Sequence, residues 1–336
     1  MGRPCGEFLL PPDAVRCVDN TPSLENLNIG KGKHVFKNLM IYRLVAGWPT
    51  DVATLDEVLG KAQFVECGAS QEKSVGWVEP RGHAHGPMVE VMGGQWLLKL
   101  MMEVKVVPGS VVKRKVQDQL DHIEATTGRK PGKKEKREIS EDARLALLPM
   151  AFSKQSSVQV WVDPAAGLLL TDAGSQAKAD EVMTWLIKAV DGLVVQLVNT
   201  QTSPASAMSG WLSTKEPPQS FSVDRECELK AADESRAVVR YTRHALDTDE
   251  VSQHIAMGKV PTRLALTWSD RVSFVLTEAL QLKKIAFLES VFEGAAASPA
   301  DGKDDNFDAD VAIATGELRK LIPDLLEALG GEVVAA

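Results

Sequence analysis

The order of its apolar patterns most constrains what this chain can fold into. Runs with strand character and runs with helical character follow one another irregularly, without the strand–helix–strand succession that a parallel, doubly wound sheet requires. The opening run Phe36–Leu44 (FKNLMIYRL) is aromatic and branched, as strands are. Met88–Met92 and Gln95–Val107 read as two antiparallel strands, because Gly93-Gly94 between them suits a two-residue hairpin turn. Val158–Val162 and Leu168–Thr171 form a second hairpin pattern across Asp163–Gly167. Further strands are expected at 64–67, 221–230, 236–243, 260–268, 271–276 and 282–287. This pattern predicts an α+β fold built on antiparallel sheets.

The helices are read from spacing and caps. Thr54 is expected to cap a short helix to Ala62, and Ser175 one that runs to Val190 and stops at Gly192. A short helix is expected near Trp211, another at 249–257, and an amphipathic one at Thr315–Leu329 that tolerates Pro323. Between residues 110 and 150 lies a different kind of segment. Val112, Val116, Leu120 and Ile123 repeat at helical spacing, Gly128–Gly132 interrupts, and Ile139, Ala143 and Leu147 resume on one face. This is a basic helical hairpin that projects from the body.

These patterns divide the chain into an N-terminal α+β part (35–109), the basic hairpin (110–150), a central and C-terminal α+β part (151–292), an acidic linker (293–306) and a C-terminal helical segment (307–336). Residues 1–34 carry prolines, glycines and Asn/Ser clusters with little periodicity. They read as a disordered leader or as sequence ahead of a start at Val35.

Composition narrows the class. Hydrophobic residues make up 44% and charged residues 25%, which is enough apolar material for an ordinary globular core. No apolar run approaches the roughly 20 residues of a membrane span. Cys5, Cys17, Cys67 and Cys227 match neither a zinc pattern nor a disulfide framework, which suits a reducing cytoplasm. A net charge of −8 argues against a nucleic-acid binder unless the basic residues are gathered on one surface.

Catalytic patterns are weak. Gly128–Lys134 (GRKPGKK) lacks the spacing and hydroxyl of a phosphate-binding loop. His83 and His85 are two ligands where a metal needs three or four. Ser70–Lys73 and Ser175–Lys178 both match S-x-x-K, which shows how cheap that pattern is. The acidic run Asp304, Asp305, Asp308 and Asp310 could bind a divalent cation as in a nuclease, and a solvated linker is the competing reading. The expectation is a protein with no enzymatic activity, no metal and no cofactor.

The positive charge falls in two sets. One lies in the hairpin, with Lys113 and Lys133 the candidates there, among enough acidic residues that a salt-bridged solvent face explains much of it. The other lies on the C-terminal strands and their turns: Arg236, Arg240, Arg243, Lys259, Arg263 and Arg271. Basic side chains on one face of a sheet can follow a phosphate backbone without reading bases.

Several segments, in order, resemble the RdgC family of recombination-associated proteins: FKNLMIYRL, Phe64–Gly68, Gly76–Pro80, the hairpin with GRKPGKKEKREI, LLPMAFS (147–153), WVDPAAGLLLTDA (161–173), Thr262–Leu266 and the run from Phe307 to Glu332. The resemblance implies a homodimer closed into a ring around double-stranded DNA, in the cytoplasm and associated with the nucleoid. It also implies binding without sequence preference and limited access of the RecA recombinase to DNA; a regulator acting mainly by direct protein contact is the alternative. It implies DNA contacts at Arg240, Arg243, Lys259 and Arg263, with Lys113 and Lys133 as secondary candidates. Phe152 matches a family phenylalanine at a subunit contact; an ordinary core residue is its other reading. Met150 stands where the family usually carries arginine, and Met101 and Met102 where relatives can carry basic residues.

Overall fold

The strand β1 (Asn38–Ala46) organises the molecule because it changes partners along its length. The structure is a computed structural model that describes residues 35–292 and 303–333. The remaining elements, in chain order, are α1 (Val52–Gly60), β2 (Lys73–Val78), β3 (Glu90–Met92), β4 (Gln95–Val106), α2 (Gly109–Thr127), α3 (Lys133–Leu147), β5 (Phe152–Asp163), β6 (Leu168–Thr171), α4 (Gln176–Ala189), β7 (Val194–Leu197), α5 (Pro204–Thr214), β8 (Phe221–Ala231), β9 (Val238–Thr242), α6 (Asp249–Ala256), β10 (Lys259–Trp268), β11 (Val272–Thr277), β12 (Leu282–Phe287), α7 (Glu289–Phe292) and α8 (Lys303–Ala328). The strands form one open sheet in the order β2-β4-β5-β6-β1-β12-β11-β10-β8-β9, with β3 on β4 and β7 on β1. Every paired strand in it is antiparallel. The chain is α+β, as the irregular order of its apolar runs predicts.

Asn38 and Leu39 of β1 pair with β12, whereas Met40–Arg43 pair with β6 and Tyr42–Ala46 with β7. β1 therefore welds an N-terminal and a C-terminal half of the sheet. Strand side chains alternate between faces, and β1 uses both. Leu39 and Ile41 enter one core, which α5, α6 and α8 cover. Met40 and Tyr42 enter a second core, which α1 and α4 cover. The helices thus lie on opposite faces of the sheet, and the first core also takes in Leu97, Trp161, Leu168 and Leu170 of the N-terminal half.

Local signals account for most of the elements. Gly93 and Gly94 both adopt positive φ (57° and 79°), the backbone that a two-residue β3–β4 turn needs and that a β-carbon would strain. Gly128 takes the left-handed conformation (φ 70°) that ends α2. Ser203 caps α5 by accepting from Ser206 N at 3.2 Å, with Pro204 at the first helical position.

Some expectations are corrected. Asp51, not Thr54, caps α1: its carboxylate accepts from Ala53 N, Thr54 N and Thr54 Oγ1. Residues 64–67 are not a strand. Only Gln63 forms an isolated bridge to Trp77, and Val65 is exposed. At this crossing the backbone of Ala62 and Phe64 bonds that of Trp77, and Gly76 lies so close to Phe64 that a β-carbon would come within 2.4 Å of the Phe64 Cα. Ser175 stands at the start of α4 without a side-chain capping bond. β7 escapes the periodicity because four residues are too few to show it. α8 begins at Lys303, inside the stretch read as linker and twelve residues before Thr315. Residues 1–34 and 293–302 lie outside the described residues.

Candidate nucleic-acid interface

β8 carries its carboxylates two residues apart, at Asp224, Glu226 and Glu228, so all three point to one face. The other face of β8 and its neighbours is apolar: Cys227, Leu229, Tyr241, Leu264 and Leu266 are buried in the core. Burial pushes the Cys227 thiol up to about 12, which makes it an inert packing residue. Cross-strand register then decides what meets the carboxylates. Glu228 lies opposite Arg263 of β10 on one side and opposite Arg240 of β9 on the other.

Arg263, Glu228 and Arg240 therefore form one row across three strands. Directly opposed residues stand about 4.5–5.5 Å apart at their β-carbons, close enough for charge pairing. Arg240 Nε donates to Glu228 Oε2 at 2.6 Å, and Thr262 Oγ1 donates to Glu228 Oε1 at 2.8 Å. The hydrogen bond from Arg240, with smaller help from Thr262 and the field of Arg263, outweighs burial and holds the Glu228 carboxyl below its ordinary value. One row along, Lys284 Nζ donates to both oxygens of Glu226 at 2.7 and 2.9 Å. Asp224 accepts from Thr267 Oγ1 at 3.0 Å, and burial raises its carboxyl.

Chemically, this is a face of alternating charge with exposed guanidinium groups at its outer side. It contains the expected Arg240 and Arg263, and also Lys284, Glu226 and Glu228, which the sequence reading passed over. The i, i+2 spacing of the β8 carboxylates was the available signal. Arg243 follows β9 with a left-handed backbone (φ 56°) that turns the chain out of the strand. Lys259 opens β10, and its Nζ donates to His254 Nδ1 at 3.1 Å. Lys113 and Lys133 are exposed on α2 and α3, beside β4 and β5. In the strand order, β6, β1, β12 and β11 separate β5 from β10, so one copy of the chain does not bring these lysines to the arginine row.

Phe152 is 88% exposed at the start of β5, which overturns the core reading. Met150, two residues before it, is 71% exposed, and Val106, the cross-strand neighbour of Phe152, is exposed as well. Met101 lies half-buried opposite Ser157, whereas Met102 is buried in the core beneath β4.

The rejected catalytic patterns occupy structural places. Arg129 of the GRKPGKK loop pairs with Glu135 at 2.7 Å, and Lys73 of the first S-x-x-K pairs with Glu181 at 2.5 Å. Asp308 pairs with Arg81 at 2.6 Å, while the side chains of Asp304 and Asp305 lie outside the described residues. Among the described residues no three His, Cys, Asp or Glu side chains gather as a metal site, and no helix is long and apolar enough to cross a membrane.

Comparison with known proteins gives a match to the family model described as "Putative exonuclease, RdgC" over residues 35–332. A protein of Dechloromonas aromatica named recombination-associated protein RdgC is 45% identical over 304 residues, covering 90% of this chain and 99% of that one. Proteins of the same name from Herminiimonas arsenicoxydans (43% identical) and Bordetella pertussis (42%) are each matched over 88% of this chain and 98% of their own length.

Proposed function

Because the chain belongs to the RdgC family of recombination-associated proteins, with a role in recombination, we propose that it binds double-stranded DNA without sequence preference and limits the access of RecA recombinase to it. In this reading two copies close into a ring. Phe152 and its exposed apolar neighbours form one subunit contact, and α2 with α3 forms a hairpin projecting from the body. Arg240, Arg243, Lys259 and Arg263, with Lys113 and Lys133 as secondary contacts, neutralise phosphates on the inner surface. The protein works in the cytoplasm on the nucleoid and catalyses nothing.

The observation that carries the reading is the exposed Arg240–Glu228–Arg263 row on an open sheet face, in a chain matched to this family from end to end of its described part. The row also explains how a chain of net charge −8 can hold a polyanion. Guanidinium groups pre-positioned by a carboxylate lose little freedom on meeting phosphate, and phosphate displaces counterions whatever the base sequence. The test is fluorescence anisotropy with two unrelated duplexes at several salt concentrations. Equal affinities that fall steeply with salt support the reading; no binding at low salt overturns it.

Two rival readings have their own observations. The interleaved Glu226 and Glu228 weaken the positive field, which favours a regulator acting mainly by direct contact with the recombinase; binding to recombinase without DNA would establish it. The exonuclease wording of the family model makes a cleavage assay necessary. Incubation with linear and circular duplex in magnesium or manganese leaves DNA intact if the protein is a non-enzymatic binder.

A further inference from the structure

Lys259 does not reach into solvent as a free cation. Its Nζ donates to His254 Nδ1 at 3.1 Å, and the bond exists only while that nitrogen keeps its lone pair. The other ring nitrogen, Nε2, faces Glu250 Oε1 at 3.9 Å, one helical turn away on α6. The same Glu250 oxygen accepts from the Tyr241 hydroxyl at 3.1 Å. Tyr241 is buried on β9, and burial and then Glu250 push its hydroxyl up to about 12, so it remains a donor across the physiological range.

Other charged groups meet this cluster. His244, on the segment after β9, has its ring 5.4 Å from that of Tyr241. Asp233, in the turn between β8 and β9, feels the charge of Lys259. Asp249 at the start of α6 is occupied by Lys215 of α5 at 3.3 Å.

We infer that His254 is a proton-operated latch on Lys259: neutral imidazole holds the ammonium inward on β10, and protonation of Nδ1 releases it to phosphate. Protonated imidazole has two N–H donors and no acceptor. A second cation 3.1 Å away then loses its hydrogen bond and meets a like charge, whereas the imidazolium gains Glu250 at Nε2 and Lys259 keeps only the more distant field of Asp233. Lysine has a flexible four-carbon stem and swings out readily. Imidazole is the side chain that gains a proton most readily near neutrality, so acidification is the signal to which this latch answers. The inference rests on the DNA-binding reading for its consequence and on the geometry for the release itself.

The experiment has two arms on the full chain. In the first, ¹⁵N NMR of the lysine side chains follows the Lys259 ammonium, assigned with Lys259→Gln, from pH 7.5 to 5.5 without DNA. Ammonium exchange slows on acidification whether or not the group is held, so the readout is the ¹⁵N shift of Lys259: it is expected to move between pH 7.5 and 5.5 in wild type and to stay in place in His254→Gln, whose amide oxygen still accepts. In the second, anisotropy on one duplex gives the salt slope of log K at both pH values. Release adds one phosphate contact, so the wild-type slope steepens by about 0.9 on acidification, and neither His254→Gln nor Lys259→Gln shows that increment. His244 is present in all three proteins, so any contribution from it cancels in the comparison. A Lys259 signal unmoved by pH, or a pH-dependent slope that persists in His254→Gln, overturns the latch. Movement of the Lys259 shift in wild type alone, with no DNA binding at either pH, overturns the DNA reading and leaves the latch standing.

Discussion

α8 and α2 are both long helices of mixed composition, yet the molecule uses them in opposite ways. α8 buries Val311, Ala314, Leu318, Leu321, Ile322 and Leu325 against the sheet and is also tied down by polar contacts. Arg319 pairs with the buried Asp163 at 2.7 Å, Arg271 with Glu317 at 2.5 Å, and Trp268 Nε1 donates to Asp324 at 2.8 Å. These partners come from both halves of the sheet, so α8 acts as a brace across the weld at β1. α2 has no buried residue at all. It leans on α3, whose solvent face is laced with the i, i+4 pairs Lys134–Glu138 and Arg137–Glu141. An apolar stripe facing a sheet makes a helix permanent, whereas charge pairing keeps one soluble and free for contact. α8 even carries Pro323 inside it. The lost bond and ring clash cost about 3 kcal/mol, which packing along the rest of the helix offsets.

The contrast can be broken at several points. Leu321→Ala opens a cavity at a fully buried site, with an expected loss of about 2–5 kcal/mol by chemical denaturation. Leu120→Ala, at a half-buried site of α2, should lose less than half as much. Equal losses would mean that α2 is as integral to the core as α8. Removing Arg271 leaves the buried Glu317 carboxylate without its main partner. Arg271→Ala should therefore cost more than the ~1 kcal/mol of a surface pair and less than the ~3–5 kcal/mol of a fully buried one.

The same pair gives a pH test. The hydrogen bond from Arg271 holds the Glu317 carboxyl below its ordinary value. A carboxylate whose folded value is depressed contributes stability above its unfolded value, near 4.3, and loses it as pH falls through the folded value. Glu317→Gln should thus be less stable than wild type at pH 7, and the gap should narrow in denaturation curves taken below about pH 4.

On the binding side, Arg240→Gln with Arg263→Gln should flatten the salt slope of DNA binding by about 1.8, at about 0.9 for each phosphate lost. Lys113→Gln with Lys133→Gln should change it comparably if the helices line the same hole, and leave it unchanged if the charge there is only a solvated face. The smallest effect is expected on α3. Arg137→Ala removes one i, i+4 pair, worth ~0.3–0.5 kcal/mol, a shift at the edge of what thermal unfolding resolves.

Much of this architecture is legible in the residues. The Gly93-Gly94 turn, the Gly128 stop, the C-terminal strand runs and the helices at 176–189 and 249–256 all rest on local stereochemistry, which needs no partner to express itself. The misreadings share one cause. Residues 64–67 have strand composition, yet the chain bridges the outer edge of β2 only at Gln63, opposite Trp77, and β7 becomes a strand only because β1 runs past it. Phe152 shows a related limit in a single side chain: subunit contact and ordinary core are both open from the residues, and only the fold shows it 88% exposed among the described residues.

The sequence by itself determined the α+β class, the positions of most elements and the membership of the family, because periodicity, turn chemistry and collinear segments are properties of neighbours along the chain. Only the tertiary structure decided that β1 joins two oppositely covered halves, that Glu228 stands between Arg240 and Arg263, and that His254 holds Lys259. Those facts depend on the register between strands and on which helix crosses which face, and register is set by the packing of residues far apart in sequence.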